Sequence, residues 1–315
     1  MLSLIQLLDD EKCFKVVREL RWPDGVDCPH CHAPHVVKQG RDDTQRFRQR
    51  YRCLNCQRKF DDLTGTVFAG HHQPLRQWVA CLYLMGLNLS NRQIAHELGL
   101  NEDDAQDMTR SLRQGVVDAS TTPTLAGTVE IDEVYLIAGH KGQSDLVKKH
   151  RPGRRRRLKG KRGRGTAASD KPPVLGMIER GGQLVLHLCD NVQQRTIQPH
   201  ILDTIQAGSV VNTDEYSIYA RVPAWGYTHV TVNHGDREWA RDDDGDGINE
   251  VHVNTIEGVW SLLRSWLRPH RGLSQRWLPL YLAFFQAMHN IRRRGFSLLE
   301  PMLNLLLTSA PRNPG

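Results

Sequence analysis

Two Cys-x-x-Cys pairs are the residues whose types and spacing most directly suggest chemistry. They are "CPHC" at residues 28–31 and "CLNC" at 53–56, separated by 21 residues. Two such pairs can supply four thiolates to a tetrahedral zinc ion, and a closed four-ligand set is typical of a structural site. The predicted ligands of one structural Zn²⁺ are Cys28, Cys31, Cys53 and Cys56. A Cys₃His set that uses His30, His32 or His35 is the alternative.

Two aspartates lie in strand-like segments of the second half of the chain. Asp132 is in "GTVEIDEVYLIAG", which predicts a strand over 128–137 with Glu130 on the same side as Asp132. An acid within apolar alternation is costly unless it is paired or binds a cation. Asp214 ends the strand-like "GSVVNTD", at the edge where α/β proteins bind ligands. Its alternative role is to cap the following helix.

A third polar group lies on the amphipathic stretch "HVNTIEGVWSLLRSWLR" at residues 252–268. The spacing of its apolar residues predicts a helix with one buried stripe. Glu257 and Arg264 are about two helical turns apart, so their side chains share a face with Asn254. This face is either an ordinary solvated surface or part of a catalytic site.

The elements that must position these residues follow a recognisable order. From residue 128 the patterns predict three strands, a helix, a strand, a short helix, a strand and two helices. The second and third strands flank Gly181 and Gly182, a hairpin signature. The short helix is "EYSIYARV" and the last is "SQRWLPLYLAFFQAMHNIRRR". This order predicts an α/β domain in which helices cover a sheet.

Three motifs, "VEIDEVYL", "VNTDEY" and "HVNTIEGVWSLLR", stand behind the cysteine-rich region and "LTGTVFAG". In this order they resemble the DDE transposases of bacterial insertion sequences, in the group with an N-terminal zinc ribbon. The resemblance runs from about residue 10 to about residue 305. It implies a DNA-cleaving and strand-joining enzyme with an RNase H-like core, a mixed sheet flanked by helices, and two Mg²⁺ ions, which Mn²⁺ can replace.

The resemblance also implies roles for individual residues. The catalytic acids are Asp132, Asp214 and Glu257, and the basic residue that follows the third acid is Arg264. Asp132 is expected to bridge the two ions, while each of the other acids holds one. Two Mg²⁺ ions can stabilise both the attacking and the leaving oxygen of an in-line displacement, and Arg264 would contact a phosphate.

Some members of this group have Asn at the position of Asn254, so the third metal ligand is either Asn254 or Glu257. We favour Glu257, because a carboxylate offsets the charge of a hard divalent ion and an amide oxygen does not. Asn254 is then expected to be the N-cap of the helix or to orient Glu257.

The segment between the cysteines and the α/β domain is predicted to be helical. "LSNRQIAHELGL" has Ser90 as an N-cap and ends at Gly99, and the next helix begins at Asn101. Short helices joined by a glycine turn favour a DNA-binding helix-turn-helix over 74–120. A plain helical linker or bundle is the alternative.

The net charge of +7 comes from one block, because residues 148–164 hold eleven Lys and Arg and no acid. Such a block is expected to be disordered and to bind a polyanion. We therefore expect double-stranded DNA as the partner, with a homo-oligomer forming on it. The longest apolar run, near "WVACLYLMGL", is about half the length of a membrane span, which predicts a cytoplasmic, DNA-associated protein without a membrane.

The predicted domains are an N-terminal helix with the zinc ribbon at 1–73, the helix-turn-helix at 74–120, and the RNase H-like domain at 121–305 with a basic insertion at 139–171. Two other functions fit part of the sequence. One is a zinc-ribbon regulator whose RNase H-like domain is inactive, and the other is a nuclease without end joining. The stretch "DDDGDGINE" begins like an EF-hand loop, but position 12 is Val253, so we expect an acidic loop without calcium.

Overall fold

The computed structural model describes residues 9–140, 145, 165–243, 245–270, 272–292 and 297–308. The chain divides into two compact units. Unit 1 consists of Met1–Ser120 and Arg294–Gly315, and unit 2 of Thr121–Arg293. The basic block at 148–164 lies outside the described residues.

Unit 1 consists of helices and a small three-stranded sheet. Its helices are α1 (Asp10–Arg21), α2 (Leu75–Gly86), α3 (Asn91–Leu98), α4 (Glu102–Ala119) and α8 (Leu299–Thr308). Its strands are β1 (Val36–Arg41), β2 (Gln49–Cys53) and β3 (Lys59–Asp61), which form an antiparallel sheet in that order. The two predicted strands of the zinc ribbon are therefore present, and β3 adds a third.

The ends of α3 and α4 follow the predicted chemistry. Ser90 forms a capping box with Gln93, and Gly99 ends α3 in the left-handed region at φ 64°. Asn101 caps α4 by accepting a hydrogen bond from the main-chain N–H of Asp104. The predicted starts of both helices and the predicted end of α3 are confirmed, while the DNA-binding role of this segment stays a prediction.

The C-terminal helix α8 packs against α1, α2 and α4. It buries Met302, Leu303, Leu306 and Leu307 in unit 1. The predicted catalytic domain, which ends at residue 305, therefore includes a helix that belongs to the N-terminal unit in space. The sequence pattern does not show this, because an amphipathic helix does not reveal which partner covers its apolar face.

Unit 2 is built on a five-stranded mixed sheet in the order β6-β5-β4-β7-β8. Its strands are β4 (Thr128–Tyr135), β5 (Pro173–Glu179), β6 (Leu184–Leu188), β7 (Val210–Asp214) and β8 (Thr228–Val232). Strands β4, β5 and β6 pair antiparallel, and β4, β7 and β8 pair parallel. A two-stranded ribbon, β9 (Ala240–Arg241) with β10 (Val251–His252), follows β8.

Helices cover both faces of this sheet, as α/β architecture requires. They are α5 (Gln194–Thr204), α6 (Asn254–Leu267) and α7 (Leu278–Arg292). On one face, Ile197 and Ile201 of α5 pack against Val129 and Ile131 of β4 in a buried cluster. Helix α6 packs on β4 and β5. Side chains of α7 cap the edge strand β6, because Asn290 and Gln286 accept its N–H groups at 2.8 Å.

Two predicted helices differ from the structure. The stretch "EYSIYARV" does not form an α-helix: a 3₁₀ turn spans Ser217–Tyr219, and a second one, Val222–Trp225, begins at its last residue with Pro223 in the first turn. The last predicted helix begins at Leu278 rather than near Ser274, since Pro279 is tolerated only in a first turn. Among the described residues, we find no helix long and apolar enough to cross a membrane.

Candidate active site and zinc centre

The strand register brings two of the predicted catalytic acids to the same level. β4 and β7 run parallel with Glu130 opposite Asn212. Asp132 and Asp214 are each two residues further along, so they lie side by side on the face that carries Glu130. Glu133 lies on the opposite face, where the buried Tyr219 hydroxyl donates to its Oε2 at 2.9 Å.

Glu130 is fully buried and holds the start of the helix that carries the third acid. Its Oε2 accepts hydrogen bonds from the main-chain N–H groups of Thr255 and Ile256 at 2.9 and 3.0 Å. Its Oε1 accepts from the Thr255 hydroxyl and from Arg180 Nε at 2.9 and 2.8 Å. A carboxylate at this position satisfies N–H groups that a helix leaves unpaired, and it complements the helix dipole.

Arg180 completes this anchor. Besides pairing with Glu130, its guanidinium donates to the main-chain carbonyls of Glu250 and His252. Asn212 of β7 donates to the same His252 carbonyl at 3.2 Å. Arg180, which follows β5, and Asn212 of β7 therefore hydrogen-bond the chain just before α6. These contacts fix where the helix begins relative to the sheet.

The Asp132 carboxylate accepts a hydrogen bond from Trp260 of α6. The indole Nε1 donates to Asp132 Oδ2 at 2.8 Å. The pKa of Asp132 is raised to about 6, chiefly by burial and also by the nearby charges of Asp214 and Glu257, while hydrogen bonds from Trp260 and the main chain of Glu133 oppose the rise. The charges of Asp214 and Glu257 thus act on Asp132, and a divalent cation bound beside Asp132 would relieve this repulsion.

A glycine makes the approach of Trp260 possible. Gly176 of β5 lies opposite Asp132 in the antiparallel pair. A Cβ atom built on Gly176 would come within 2.2 Å of the Trp260 ring and 2.9 Å of Ile256. Because residue 176 has no side chain, the Trp260 indole can approach the sheet closely and donate to the Asp132 carboxylate.

Glu257 lies in the first turn of α6, with its side chain about half exposed. Its Oε1 is 3.7 Å from Nε2 of His234, a residue that sequence reasoning did not select. Arg264 is exposed two turns further along the same helix. The stripe opposite them, with Ile256, Val259, Trp260 and Leu263, is buried as predicted.

Asn254 is not the N-cap of this helix, so that prediction was wrong. The helix begins at Asn254, the residue in the cap position is Val253, and the Val253 side chain makes no cap hydrogen bond. His252 Nδ1 accepts the main-chain N–H of Asn254 at 3.3 Å, and the next two N–H groups are accepted by Glu130, 125 residues before Thr255 in the chain. Because a cap supplied by another strand leaves no local signal, residue spacing could not identify it.

The four predicted zinc ligands come together. Their sulfur atoms lie within 4.8 Å of one another, and none of the nearby histidines belongs to this cluster in the part of the chain that the structure describes. The Sγ atoms of Cys28 and Cys56, and those of Cys31 and Cys53, are 3.6 Å apart. Tetrahedral zinc with bonds of about 2.3 Å separates its sulfurs by about 3.8 Å, so the set fits a structural zinc ion.

The acidic loop after β9 brings Asp242, Asp246 and Glu250 within 4.8 Å of one another. Main-chain N–H groups already occupy these carboxylates: Gly245 and Gly247 donate to Asp242 at 2.6 and 2.8 Å, and Asp243 donates to Glu250. The loop is thus held by hydrogen bonds of its own backbone, and we assign no ion to it.

Sequence reasoning missed the residues that support the acids. Glu130 and Gly176 did leave a signal: an acid on the inward side of a strand, and an isolated glycine within an apolar strand, which marks a close approach. Arg180 and His234 left none, because their contacts depend on the tertiary fold.

Comparison with known proteins identifies the family of this chain. Residues 124–290 match the family described as ISXO2-like transposase domain, and residues 8–59 match the transposase zinc-ribbon domain. The chain is 35% identical over 312 residues to an uncharacterized protein in transposable element ISH50 of Halobacterium salinarum, covering 98% of this chain and 100% of that protein.

A solved structure, a pre-cleavage Mos1 transpososome, is similar at 9% identity over 77% of this chain and 82% of that one. Its TM-score is 0.28, so this likeness carries no argument about fold or function. The two family matches and the relative of nearly equal length are sufficient by themselves. The chain belongs to the ISXO2-like transposase family and begins with a transposase zinc ribbon.

Proposed function

We propose that this protein cleaves DNA at the ends of an insertion sequence and joins the freed ends to target DNA. The observation that carries the proposal is the convergence of Asp132, Asp214 and Glu257 on one face of the mixed sheet. The order and directions of the strands support an RNase H-like fold for this domain. A regulator with an inactive domain would not need to keep three mutually repelling carboxylates together.

The three carboxylates are the proposed ligands of Mg²⁺, for which Mn²⁺ can substitute. Their oxygen atoms suit a hard divalent ion, and the raised pKa of Asp132 comes chiefly from burial and also from the charges of Asp214 and Glu257, which a bound cation would offset. When bound, two such ions stabilise the attacking and leaving oxygens of a displacement at phosphorus. Glu257 is our third ligand, and Asn254, exposed one turn earlier, remains the alternative.

The residues around the carboxylates have positioning roles. Trp260 fixes the orientation of Asp132, and Glu130 fixes the start of α6 and with it Glu257. Arg264 lies on the exposed face of α6 in line with Glu257, where its guanidinium can bind a DNA phosphate. No side chain is needed as a nucleophile, because water and then the DNA 3′-hydroxyl attack.

Double-stranded DNA is the proposed partner, bound by the zinc ribbon, the helical segment and the basic block at 148–164. Within the segment, we assign base reading to α3, because its exposed Arg92, Gln93 and His96 can hydrogen-bond base edges. The first turn of α4 carries exposed acids, Glu102, Asp103 and Asp104, which would repel phosphates. Because the two ends of one insertion sequence must be handled together, we propose that the protein forms a homo-oligomer on DNA.

The test is to incubate the purified protein with a DNA fragment that carries the ends flanking its own gene and a second DNA as target. We expect Mg²⁺-dependent nicks at the ends and products in which an end is joined to the target. Cleavage without joining would identify a nuclease. Specific binding with neither reaction would identify the regulator.

A further inference from the structure

The loop that follows β8 lies beside the catalytic carboxylates. Val232, the last residue of β8, pairs with Asp214, the last residue of β7. Two residues later, His234 Nε2 is 3.7 Å from Glu257 Oε1. Residues 233–239 therefore begin at the edge of the sheet where the acids converge.

This loop presents an indole to solvent. Trp239 is 58% exposed, and it is the only aromatic among the large hydrophobic side chains found exposed in the described part of the chain. Its ring lies against the His234 imidazole, with centroids 4.9 Å apart and an angle of 37° between the rings. An indole left this exposed contributes little to the core, so its place beside the acids needs another explanation.

The loop is braced, so that the indole is held in place before any ligand arrives. The Glu215 carboxylate accepts the main-chain N–H groups of His234 and Gly235 at 3.0 and 3.3 Å. Glu238 accepts the N–H of Asn233 at 2.9 Å and pairs with Arg241 at 2.7 Å. A side chain that is already oriented loses little conformational entropy when a ligand binds to it.

We propose that Trp239, supported by His234, is a stacking platform for an unpaired nucleobase of the DNA strand that reacts at the carboxylates. The proposal rests on the function proposed above. Acidic side chains repel the DNA backbone, whereas the π-face of an indole binds any base without regard to charge. A base that is unstacked from the DNA next to the reacting phosphate would stack on the Trp239 indole. This contact would hold the end of the DNA strand in place.

The test compares three variants on the same end DNA under single-turnover conditions. Stacking of one base on an aromatic ring is worth about 1–3 kcal/mol, so Trp239→Ala should slow end joining by about 5- to 150-fold. Trp239→Phe should retain most of the rate because a ring remains. Ile248→Ala, which truncates another exposed apolar side chain of unit 2, is the matched control and should match the unsubstituted protein.

Abasic nucleotides then locate the stacked base. A series of end DNAs is made, each with one abasic site at a different position. At one position the difference in joining rate between Trp239→Ala and the unsubstituted protein should disappear, because no base is left to stack.

Equal rates for the two proteins on intact DNA would overturn the platform while the proposed function stands. A difference that persists at every abasic position would also overturn it, as would a change in oligomeric mass without DNA, which would identify Trp239 as a contact between chains. If the unsubstituted protein neither cleaves nor joins DNA, the proposed function itself fails.

Discussion

The Trp260 indole on α6 donates a 2.8 Å hydrogen bond to Asp132 on β4, across from a strand position that only glycine can occupy. This contact ties the helix that carries Glu257 to the strand that carries Asp132. It makes the geometry of the acids dependent on Gly176, which touches neither metal nor DNA.

Gly176→Ala should therefore damage the site from a distance. The added Cβ would overlap the Trp260 ring, and overpacking of this kind costs about 1–3 kcal/mol of folding stability. We expect a lower midpoint in urea unfolding and a loss of cleavage activity. Gly258→Ala is the control for stability, since no atom lies within 4 Å of that Cβ and alanine favours the helix. Equal stability of the two variants would show that the indole does not depend on residue 176.

Glu130→Ala should be among the most destabilising single changes in unit 2. It removes hydrogen bonds that cap α6 and leaves Arg180, whose side chain is 23% exposed, without its carboxylate partner. Breaking a fully buried pair costs about 3–5 kcal/mol, and partial exposure of Arg180 places the expected loss towards the lower end. Chemical denaturation measures the effect, with the exposed Asp190→Asn as a control in the same unit. A loss below about 1 kcal/mol would mean that other groups hold the start of the helix.

The zinc ribbon should depend on its metal for folding, because its core is a small cluster that includes Trp22, Tyr51 and Phe60. Elemental analysis should find one zinc per chain, and Cys28→Ser or Cys56→Ser should lose both the zinc and the near-ultraviolet signal of these rings. Cys189→Ser, in the other unit, should keep the metal. Ordered folding and normal end binding without zinc would refute a structural role.

The contribution of His187 to the stability of unit 2 should be lost as the pH drops from about 6.5 to about 4. The pKa of His187 is lowered to about 4, chiefly by burial and also by the charge of His200, which is stacked on it with ring centroids 4.3 Å apart. The unfolded chain takes up a proton near pH 6.5 while the native imidazole stays neutral, so stability is full above that pH and is lost towards the folded pKa. The loss due to this residue is up to about 3 kcal/mol.

His187→Leu removes this group and should flatten the dependence of stability on pH in the same interval. Urea unfolding at several pH values measures it. An unchanged slope in the variant would show that other groups cause the acid sensitivity.

Much of the fold could be predicted because its signals are local. The Cys-x-x-Cys spacing, the cap at Ser90, the glycine at residue 99 and the alternation around Asp132 each reflect an interaction within a few residues. The residue patterns also predicted the five strands of the sheet in unit 2 in their observed order along the chain. The cap of α6 could not be predicted, since its carboxylate comes from β4.

The same reason explains what else the residue patterns do not show. The packing of α8 in unit 1 depends on surfaces that meet only after folding, so no local pattern indicates which unit this helix joins. His234 has no motif, and it reaches Glu257 only because β8 lies next to β7. Support for a site thus comes from tertiary contacts, whereas its chemical residues are visible in the sequence.

The central claim is that Asp132, Asp214 and Glu257 form one Mg²⁺-dependent active site. The most direct measurement is single-turnover cleavage and joining of end DNA by Asp132→Asn, Asp214→Asn, Glu257→Gln and Asn254→Ala, with end binding measured in parallel. We predict that the three acid variants bind ends normally but neither cleave nor join, while Asn254→Ala keeps measurable activity. Near-normal activity of Asp132→Asn or Asp214→Asn would contradict the site, and an active Glu257→Gln beside a folded but inactive Asn254→Ala would make Asn254 the third ligand.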